Sequence, residues 1–254
     1  MRLGNNRILV SAVSILTIWR GINHFSAMAW RSHGINNRDM VSHLKRNGVF
    51  HSYEVEEAMS QVDRKYYSEH NPYMDAPQGI GYGATISAPH MHGTVLEALK
   101  DHLINGTRAL DVGSGSGYLT VCMALMMGEK GRVIGIDHIK GLVDLSLANV
   151  KKDKVGHSLL QSQRIKLLVG DGRLGYPEEG PFDAIHVGAA SPSLPHALMN
   201  QLKYGGRLIV PIGPEGGNQT LEQIDRKEDG TFTHRTLMGV MYVPLTEKDQ
   251  QWPY

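Results

Sequence analysis

The sequence predicts an α/β domain built on a mostly parallel, doubly wound sheet, and two observations carry this prediction. A glycine-rich turn at 113–117 separates a short apolar run from a second apolar segment, which is the order strand, turn, helix. From that point to residue 210, strand-like apolar runs alternate with helix-like segments. Such alternation indicates βαβ units, whose strands pair in parallel.

The individual elements follow from hydrophobic spacing and from turn residues. After the turn we expect strands at 132–136, 165–169, 182–187 and 207–210, with helices beginning at Tyr118, Ile139 and Pro195. Before it, we expect small N-terminal helices around 41–49 and 55–62 and a helix over 92–103; Pro89 suits the start of that helix. Residues 221–225 and 231–243 predict a C-terminal antiparallel addition, because Asp229-Gly230 marks a turn between them.

Composition narrows the class of protein. The chain has 254 residues, 41% of them hydrophobic and 20% charged, which suits one globular domain with additions. Its net charge of +1 gives no global basic field of the kind that attracts nucleic acid or anionic membranes. The single cysteine, Cys122, cannot form an internal disulfide, and we expect it on the buried face of the helix after the glycine turn.

Residues 1–27 stand apart from the rest, and we expect 28–254 to form a single domain. Arg2 and Arg7 precede a run, 8–19, that is 12 residues long and mainly apolar, whereas a membrane-spanning helix needs about 20. The segment has the charge and length of a signal-peptide head. An uncleaved anchor, a transit segment and a dispensable extension are the alternatives. We favour a dispensable extension and a cytoplasmic location, with secretory entry or membrane association through 1–27 as the other outcome.

The spacing of the glycine turn selects among ligands. A dinucleotide fingerprint counted from Gly113 requires its third glycine at position 118, but the glycine is Gly117; a phosphate-binding loop requires a lysine, which is absent here. Asp111, just before the glycines, would repel a pyrophosphate and suits a ligand that carries an ammonium group. The pattern resembles the S-adenosylmethionine (AdoMet) loop of Rossmann-like methyltransferases.

Two further acids support this interpretation. Asp137 ends the next strand, 26 residues after Asp111, where an acid accepts hydrogen bonds from ribose hydroxyls. Asp171 ends a third strand and is placed to border an adenine. Each acid could also be an ordinary turn residue after a buried strand. Three of them in this order favour a cofactor site, because a motif gains weight from its predicted context.

One stretch points to a particular family. The segment 84–92 reads Ala-Thr-Ile-Ser-Ala-Pro-His-Met-His, and it is joined by motifs at 71–75, 110–117, 170–173, 182–190 and 242–246. Together these closely resemble the protein-L-isoaspartate (D-aspartate) O-methyltransferases. The resemblance runs from Met28 essentially to the end of the chain, so the extension before it is the departure from the family pattern.

The resemblance implies a repair activity. Enzymes of this family use AdoMet to methylate the free α-carboxyl of L-isoaspartyl and D-aspartyl residues in damaged proteins and peptides. The ester then closes spontaneously to a succinimide, part of which hydrolyses to normal aspartate. The implied partners are isoaspartyl proteins and peptides, without nucleic acid or metal, and we expect a monomer.

This methyl transfer requires no general base from the protein. A carboxylate with a pKa near 4 is already ionised at neutral pH, so it needs no general base. Catalysis can rest on placing a carboxylate oxygen in line with the methyl group and excluding water. We expect Ser87 to be the catalytic residue, with a hydroxyl that orients the acceptor. Its alternative role is the N-cap of the following helix.

The loop and the resemblance together predict a cofactor-binding set. Its members are Ala84, Thr85, Ile86, Ser87, His92, Asp111, Gly113, Ser114, Gly115, Ser116, Gly117, Asp137, His138, Asp171, Gly172, Thr246 and Gln251. His90 and His92 could also be read as a metal pair, but no Cys, His or Glu cluster in the sequence completes a site, so we expect none. His186 lies in a buried-looking strand and is expected to be structural.

Two other functions remain open. An NAD-linked oxidoreductase is disfavoured by the glycine spacing, and absorbance of a retained cofactor would separate it from a methyltransferase. A methyltransferase-like adaptor could bind AdoMet without turnover. The intact loop, Asp137 and Ser87 argue against the adaptor.

Overall fold

A computed structural model describes residues 32–253, and the predicted extension 1–27 lies outside the described residues. The helices are α1 Asn37–Arg46, α2 Tyr53–Gln61, α3 Pro89–Ile104, α4 Tyr118–Met126, α5 Lys140–Lys152, α6 Lys154–Gln161, α7 His196–Met199 and α8 Lys248–Gln251. The strands are β1 Gln78–Gly81, β2 Ala84–Ile86, β3 Arg108–Val112, β4 Arg132–Asp137, β5 Ile165–Val169, β6 Phe182–Val187, β7 Leu202–Ile212, β8 Gln219–Arg226 and β9 Phe232–Val240.

The main sheet has seven strands in the order β5-β4-β3-β6-β7-β8-β9. The first five in this order pair in parallel, whereas β8 and β9 add antiparallel strands at one edge. This confirms the predicted α/β class with its antiparallel addition. From β3 the chain passes to β4 and then β5 on one side of the sheet. It then returns to β6, on the other side of β3, and continues to β7. Ligands in such sheets bind beyond the carboxyl ends of the strands where the order reverses, which here is next to β3.

Helices cover both faces of the sheet because alternate strand residues point to opposite sides. On β3, Ala109 belongs to a large core cluster shared with α1 to α5, while Leu110 and Val112 belong to a second cluster that includes residues of α7. Cys122 lies fully buried in the larger cluster, as predicted. Within the described part of the chain, no helix has the length and apolarity needed to cross a membrane.

Several predicted boundaries were wrong. Helix α3 begins at Pro89, which suited a helix start, and so extends beyond the predicted range 92–103; its N-cap is Ala88, with no side-chain capping bond. The alternative role of Ser87 as the N-cap is therefore wrong. The helix expected from Pro195 is a single turn of four residues, because β7 already begins at Leu202.

Two elements were not predicted. The glycine-rich stretch before residue 87 forms the antiparallel hairpin β1–β2, whose tip places Tyr82 at φ +53. Helix α6 follows α5 almost directly, because Asp153 ends one helix and caps the next by accepting a bond from the Val155 N–H. The Asp153 carboxylate also accepts from the Tyr67 hydroxyl at 2.6 Å, so this residue is buried in the core.

Candidate functional site

The glycine turn joins β3 to α4 through three residues in the left-handed region. Gly113, Gly115 and Gly117 have φ of +73, +50 and +86, which side-chain-bearing residues rarely adopt. The Gly113 N–H donates to the Ile136 carbonyl at 2.9 Å and holds the turn against β4. A Cβ atom on Gly117 would lie 3.2 Å from Ser146, so this glycine serves helix packing and not the ligand side of the turn.

A pocket that is partly open to solvent lies beyond the carboxyl ends of β3 and β4; its empty space, including the part open to solvent, is about 520 Å³. Nine of the predicted cofactor residues line it: Ala84, Thr85, Gly113, Gly115, Asp137, His138, Gly172, Thr246 and Gln251. The pocket thus brings together segments that are remote from one another in the sequence.

Asp137 is the buried acid of the pocket wall. Its Oδ2 accepts from the Gly115 N–H at 3.2 Å and its Oδ1 from the Ile139 N–H at 3.1 Å. Burial raises the pKa of this carboxyl, and the two backbone bonds partly offset the rise. Each carboxylate oxygen has more than one acceptor site, so Asp137 can also accept hydroxyl groups of a ligand.

The hairpin and the C-terminal segment meet at the pocket, where β2 and Gln251 both contribute to its lining. The Gln251 side chain donates to the Tyr82 carbonyl at 3.1 Å, which fixes its amide so that Oε1 faces His138. Oε1 lies 2.9 Å from His138 Nε2, so this ring nitrogen carries the proton. The Tyr82 ring also packs edge-on against Trp252, with centroids 5.4 Å apart.

Residues 243–246 also line the pocket. Residue 243 was predicted to end the last strand. Strand β9 instead ends at Val240, and the chain crosses back to the end of β6. The Ala190 N–H donates to the Val243 carbonyl and the Leu245 N–H to the Ala190 carbonyl, both at 2.8 Å. These two bonds hold this segment in place.

The adjacent residues Asp171 and Gly172 have different surroundings in the structure. Gly172 lines the pocket, whereas Asp171 is turned to Arg173, whose guanidinium contacts both carboxylate oxygens at 2.8–3.2 Å. This hydrogen bonding lowers the pKa of Asp171. Arg173 also donates to Glu247 at 2.9 Å and so ties the C-terminal segment to the loop after β5.

Asp111 lies beneath the turn and does not line the pocket. Its side chain is 1% exposed, and its two oxygens are engaged by the His186 ring Nδ1 at 2.8 Å and by the Thr120 hydroxyl at 2.5 Å. His186 is thus buried against Asp111, and a structural role for it remains our expectation. Ser114 and Ser116 are also buried; Ser116 Oγ accepts from the Tyr118 N–H, and Ser114 Oγ has no hydrogen-bond partner among the described residues.

The predicted cofactor residues Ile86, Ser87 and His92 lie in three different environments. Ile86 is 3% exposed and belongs to the core. Ser87 is half-buried, and its side chain hydrogen-bonds the Tyr242 phenol; burial raises the pKa of that phenol to about 12, an effect that this bond partly offsets. His92 is 6% exposed and contacts Arg64 Nη1 at 3.1 Å through its ring Nδ1.

Some lining residues were absent from the predicted set. They are Ile136, Leu142, Gly188, Ala189, Val243, Pro244 and Leu245. None carries a polar side chain, so composition gives no signal for them. Gly188 and Ala189 follow β6 directly, and the rule that parallel strands meet at one edge could have placed them in the site.

A family model and curated relatives agree on the family that this chain resembles. The family model for protein-L-isoaspartate(D-aspartate) O-methyltransferase matches residues 35–250. A protein-L-isoaspartate O-methyltransferase of Caenorhabditis elegans is 49% identical over 226 residues, which cover 89% of this chain and 99% of the relative. An Arabidopsis thaliana protein-L-isoaspartate O-methyltransferase 2 is 50% identical over 216 residues, covering 84% and 69%.

Solved structures agree with these sequence relatives. A Plasmodium falciparum structure, described as a putative protein-L-isoaspartate O-methyltransferase in complex with S-adenosyl-L-homocysteine, superposes with a TM-score of 0.77. It is 41% identical and covers 84% of this chain and all of that one. The range that the family model matches includes the glycine turn, the hairpin and the wall at 243–246. With fold, site and relatives in agreement, the chain belongs to the protein-L-isoaspartate(D-aspartate) O-methyltransferase family.

Proposed function

We propose that this chain uses AdoMet to methylate the free α-carboxyl of L-isoaspartyl and D-aspartyl residues in damaged proteins and peptides, the first step of their repair through a succinimide. The observation that carries the proposal is the family match over residues 35–250, which includes nearly the whole pocket. The relatives are named as protein-L-isoaspartate O-methyltransferases, and the structure of one such protein is described as a complex with S-adenosyl-L-homocysteine.

The residues of the pocket fit AdoMet. Gly113 and Gly115 leave backbone exposed where a side chain would fill the space, and Asp137 offers a carboxylate for ribose hydroxyls. His138 and Gln251 line the same pocket. When bound there, the cofactor supplies an electrophilic methyl group.

The protein's own part in the reaction is positioning. The acceptor carboxylate is ionised at neutral pH and attacks without help from a base. We assign to Ser87 the orientation of that carboxylate through one hydrogen bond from its hydroxyl. The neighbouring Tyr242 phenol stays protonated at neutral pH, because burial raises its pKa to about 12, and so it brings no negative charge to the acceptor.

Transfer of labelled methyl from AdoMet tests the function directly. We expect incorporation into a peptide that contains L-isoaspartate and none above background into the same peptide with normal aspartate. The label should be lost in mild base, because a methyl ester hydrolyses whereas an N-methyl group does not. AdoMet binding without incorporation into either peptide would support the adaptor instead.

The bridge made by Gln251 gives a second test. Gln251→Ala removes the bonds to His138 and to the Tyr82 carbonyl, so the hairpin tip and the C-terminal segment lose their link. We expect S-adenosyl-L-homocysteine (AdoHcy) affinity to fall about 3- to 10-fold, through faster dissociation, since about 1 kcal/mol of hydrogen bonding holds the closed form. Stopped-flow displacement measures this rate.

Asp249→Ala is the matched control for that experiment. Asp249 lies in the same helix, α8, but is exposed and does not line the pocket. Its dissociation rate should equal that of the wild type. Equal rates for both variants would show that the bridge does not retain the cofactor.

Two finer points belong to the same proposal. We propose that the protein acts in the cytoplasm and as a monomer. The single cysteine, which cannot form an internal disulfide, fits a reducing compartment.

A further inference from the structure

Arg64 is a buried cation that has no role in the methyl transfer described above. Its side chain is fully buried; the Asp75 carboxylate acts on it electrostatically, but within residues 32–253 no carboxylate forms a direct ion pair with its guanidinium. Burial lowers the pKa of Arg64 to about 10, so it still carries its charge at neutral pH. Burying a charge without a direct ion-pair partner is costly, so a position that retains one suggests a role other than stability.

The guanidinium contacts three parts of the site. Nη2 donates to the Ser87 carbonyl at 2.6 Å, and Nη1 donates to His92 Nδ1 at 3.1 Å. The guanidinium carbon lies 5.4 Å from the centre of the Tyr118 ring, at the start of the helix that follows the glycine turn. Arg64 therefore links the loop before α3, α3 itself and α4.

The contact with His92 also fixes a tautomer. An arginine can only donate, so His92 Nδ1 must accept and the proton must sit on Nε2. Burial, aided by the nearby Arg64 charge, holds the pKa of His92 well below its usual value, which keeps the ring neutral. A protonated His92 would lose the bond and face a like charge.

The backbone of Arg64 is itself held firmly. The Asn37 side chain accepts from the Arg64 N–H at 3.3 Å and donates to the Met59 carbonyl at 2.8 Å. One amide of α1 thus caps the end of α2 and sets the position of Arg64. The guanidinium reaches Ser87 from a rigid base, which a positioning group requires.

We propose that Arg64 is a positioning residue for the acceptor carboxylate, acting through Ser87 by fixing the peptide plane between β2 and α3. The proposal rests on the role that the proposed function gives to Ser87. With the Ser87 carbonyl held, the direction of its Cα–Cβ bond is restricted, and the hydroxyl is preorganised toward the acceptor. Lysine cannot replace this group, because it lacks the planar fork that serves two acceptors at once.

A double-mutant cycle between Arg64 and Ser87 tests this inference. We expect Arg64→Lys to lower kcat/KM for an isoaspartyl peptide about 5- to 20-fold while AdoHcy affinity stays within about 3-fold of wild type. In the Ser87→Ala background, the same change should have an effect of less than about 2-fold, since the hydroxyl that Arg64 positions is already gone.

Arg207 supplies the matched control. It is a largely buried arginine that donates to the Ala98 carbonyl of the same helix, α3, and it pairs with Asp225 away from the pocket. Arg207→Lys should lower the melting temperature but leave kcat/KM within about 2-fold of its background, both in the wild type and in Ser87→Ala. A purely structural role for Arg64 would give the same pattern.

Every other outcome counts against the proposal. Additive losses from Arg64→Lys and Ser87→Ala would overturn it, as would a large loss of AdoHcy affinity. If neither Arg64→Lys nor Arg64→Gln yields a folded protein by circular dichroism in the cold, Arg64 maintains the fold and not the acceptor site. A wild type that binds AdoHcy but fails to methylate isoaspartyl peptide would overturn the proposed function together with this inference, whereas an active wild type with additive variants would overturn this inference alone.

Discussion

Replacement of Gly115 by valine is expected to abolish cofactor binding. Gly115 has φ of +50, its N–H donates to Asp137, and a Cβ atom there would lie 3.3 Å from Ile80 Cδ1. A β-branched residue is strained at this φ, and its side chain would fill space at a surface that lines the pocket. We expect AdoHcy affinity to fall by about 100-fold or more, which corresponds to about 2.7 kcal/mol or more.

Isothermal titration on folded protein measures this loss, and Gly128→Val separates it from backbone strain. Gly128 also has a positive φ, +66, but it follows α4 in an exposed turn where an added Cβ atom would have no neighbour within 4 Å. Both variants should lose similar stability from a strained backbone, about 1–2 kcal/mol. Only Gly115→Val should lose AdoHcy; unchanged affinity in that variant would remove the cofactor assignment from the turn.

Ser87→Ala is expected to impair turnover far more than cofactor binding. One hydrogen bond to a charged acceptor contributes about 1.5–3 kcal/mol, so kcat/KM should fall roughly 10- to 100-fold. The variant should keep measurable activity, because the acceptor carboxylate is itself the nucleophile. The pH profile should show no limb from a titrating base near neutrality in either protein.

Steady-state kinetics and a thermal melt together decide the role of Ser87. Ser162→Ala is the control, because Ser162 caps the end of α6 through a 2.8 Å bond to the Ser158 carbonyl and lies outside the pocket lining. It should keep wild-type kcat/KM. If Ser87→Ala behaves in the same way and loses only melting temperature, the hydroxyl has no part in catalysis.

The parallel part of the fold could be predicted because its signals are local. Strands β5 and β6 occupy the ranges that their apolar runs indicated, and the glycine turn lies where a strand had to give way to a helix. The hairpin β1–β2 was not predicted, because glycine-rich sequence has a weak strand preference. Its tip is held instead by contacts with the remote residues Gln251 and Trp252. Tertiary contacts of that kind leave no local pattern.

In the site, too, local motifs predicted the position of residues along the chain but not the partners of their side chains. Asp137 lines the pocket, as a strand-end acid should, whereas Asp111 faces inward because the side chains of His186 and Thr120 engage its oxygens. A motif gives the position of a residue along a strand, but the partners of its side chain depend on the packed core. Arg64 illustrates this limit, since a lone arginine after a short helix looks like a solvated residue until the structure shows it buried.

The buried position of Cys122 affects how readily the protein itself is oxidised. Burial raises the pKa of this thiol, so the reactive thiolate is scarce, and the side chain has no exposed surface. Peroxide and disulfide exchange act on accessible thiolates. A protein that works on damaged polypeptides would thus carry its one cysteine where peroxide and disulfide exchange do not reach it.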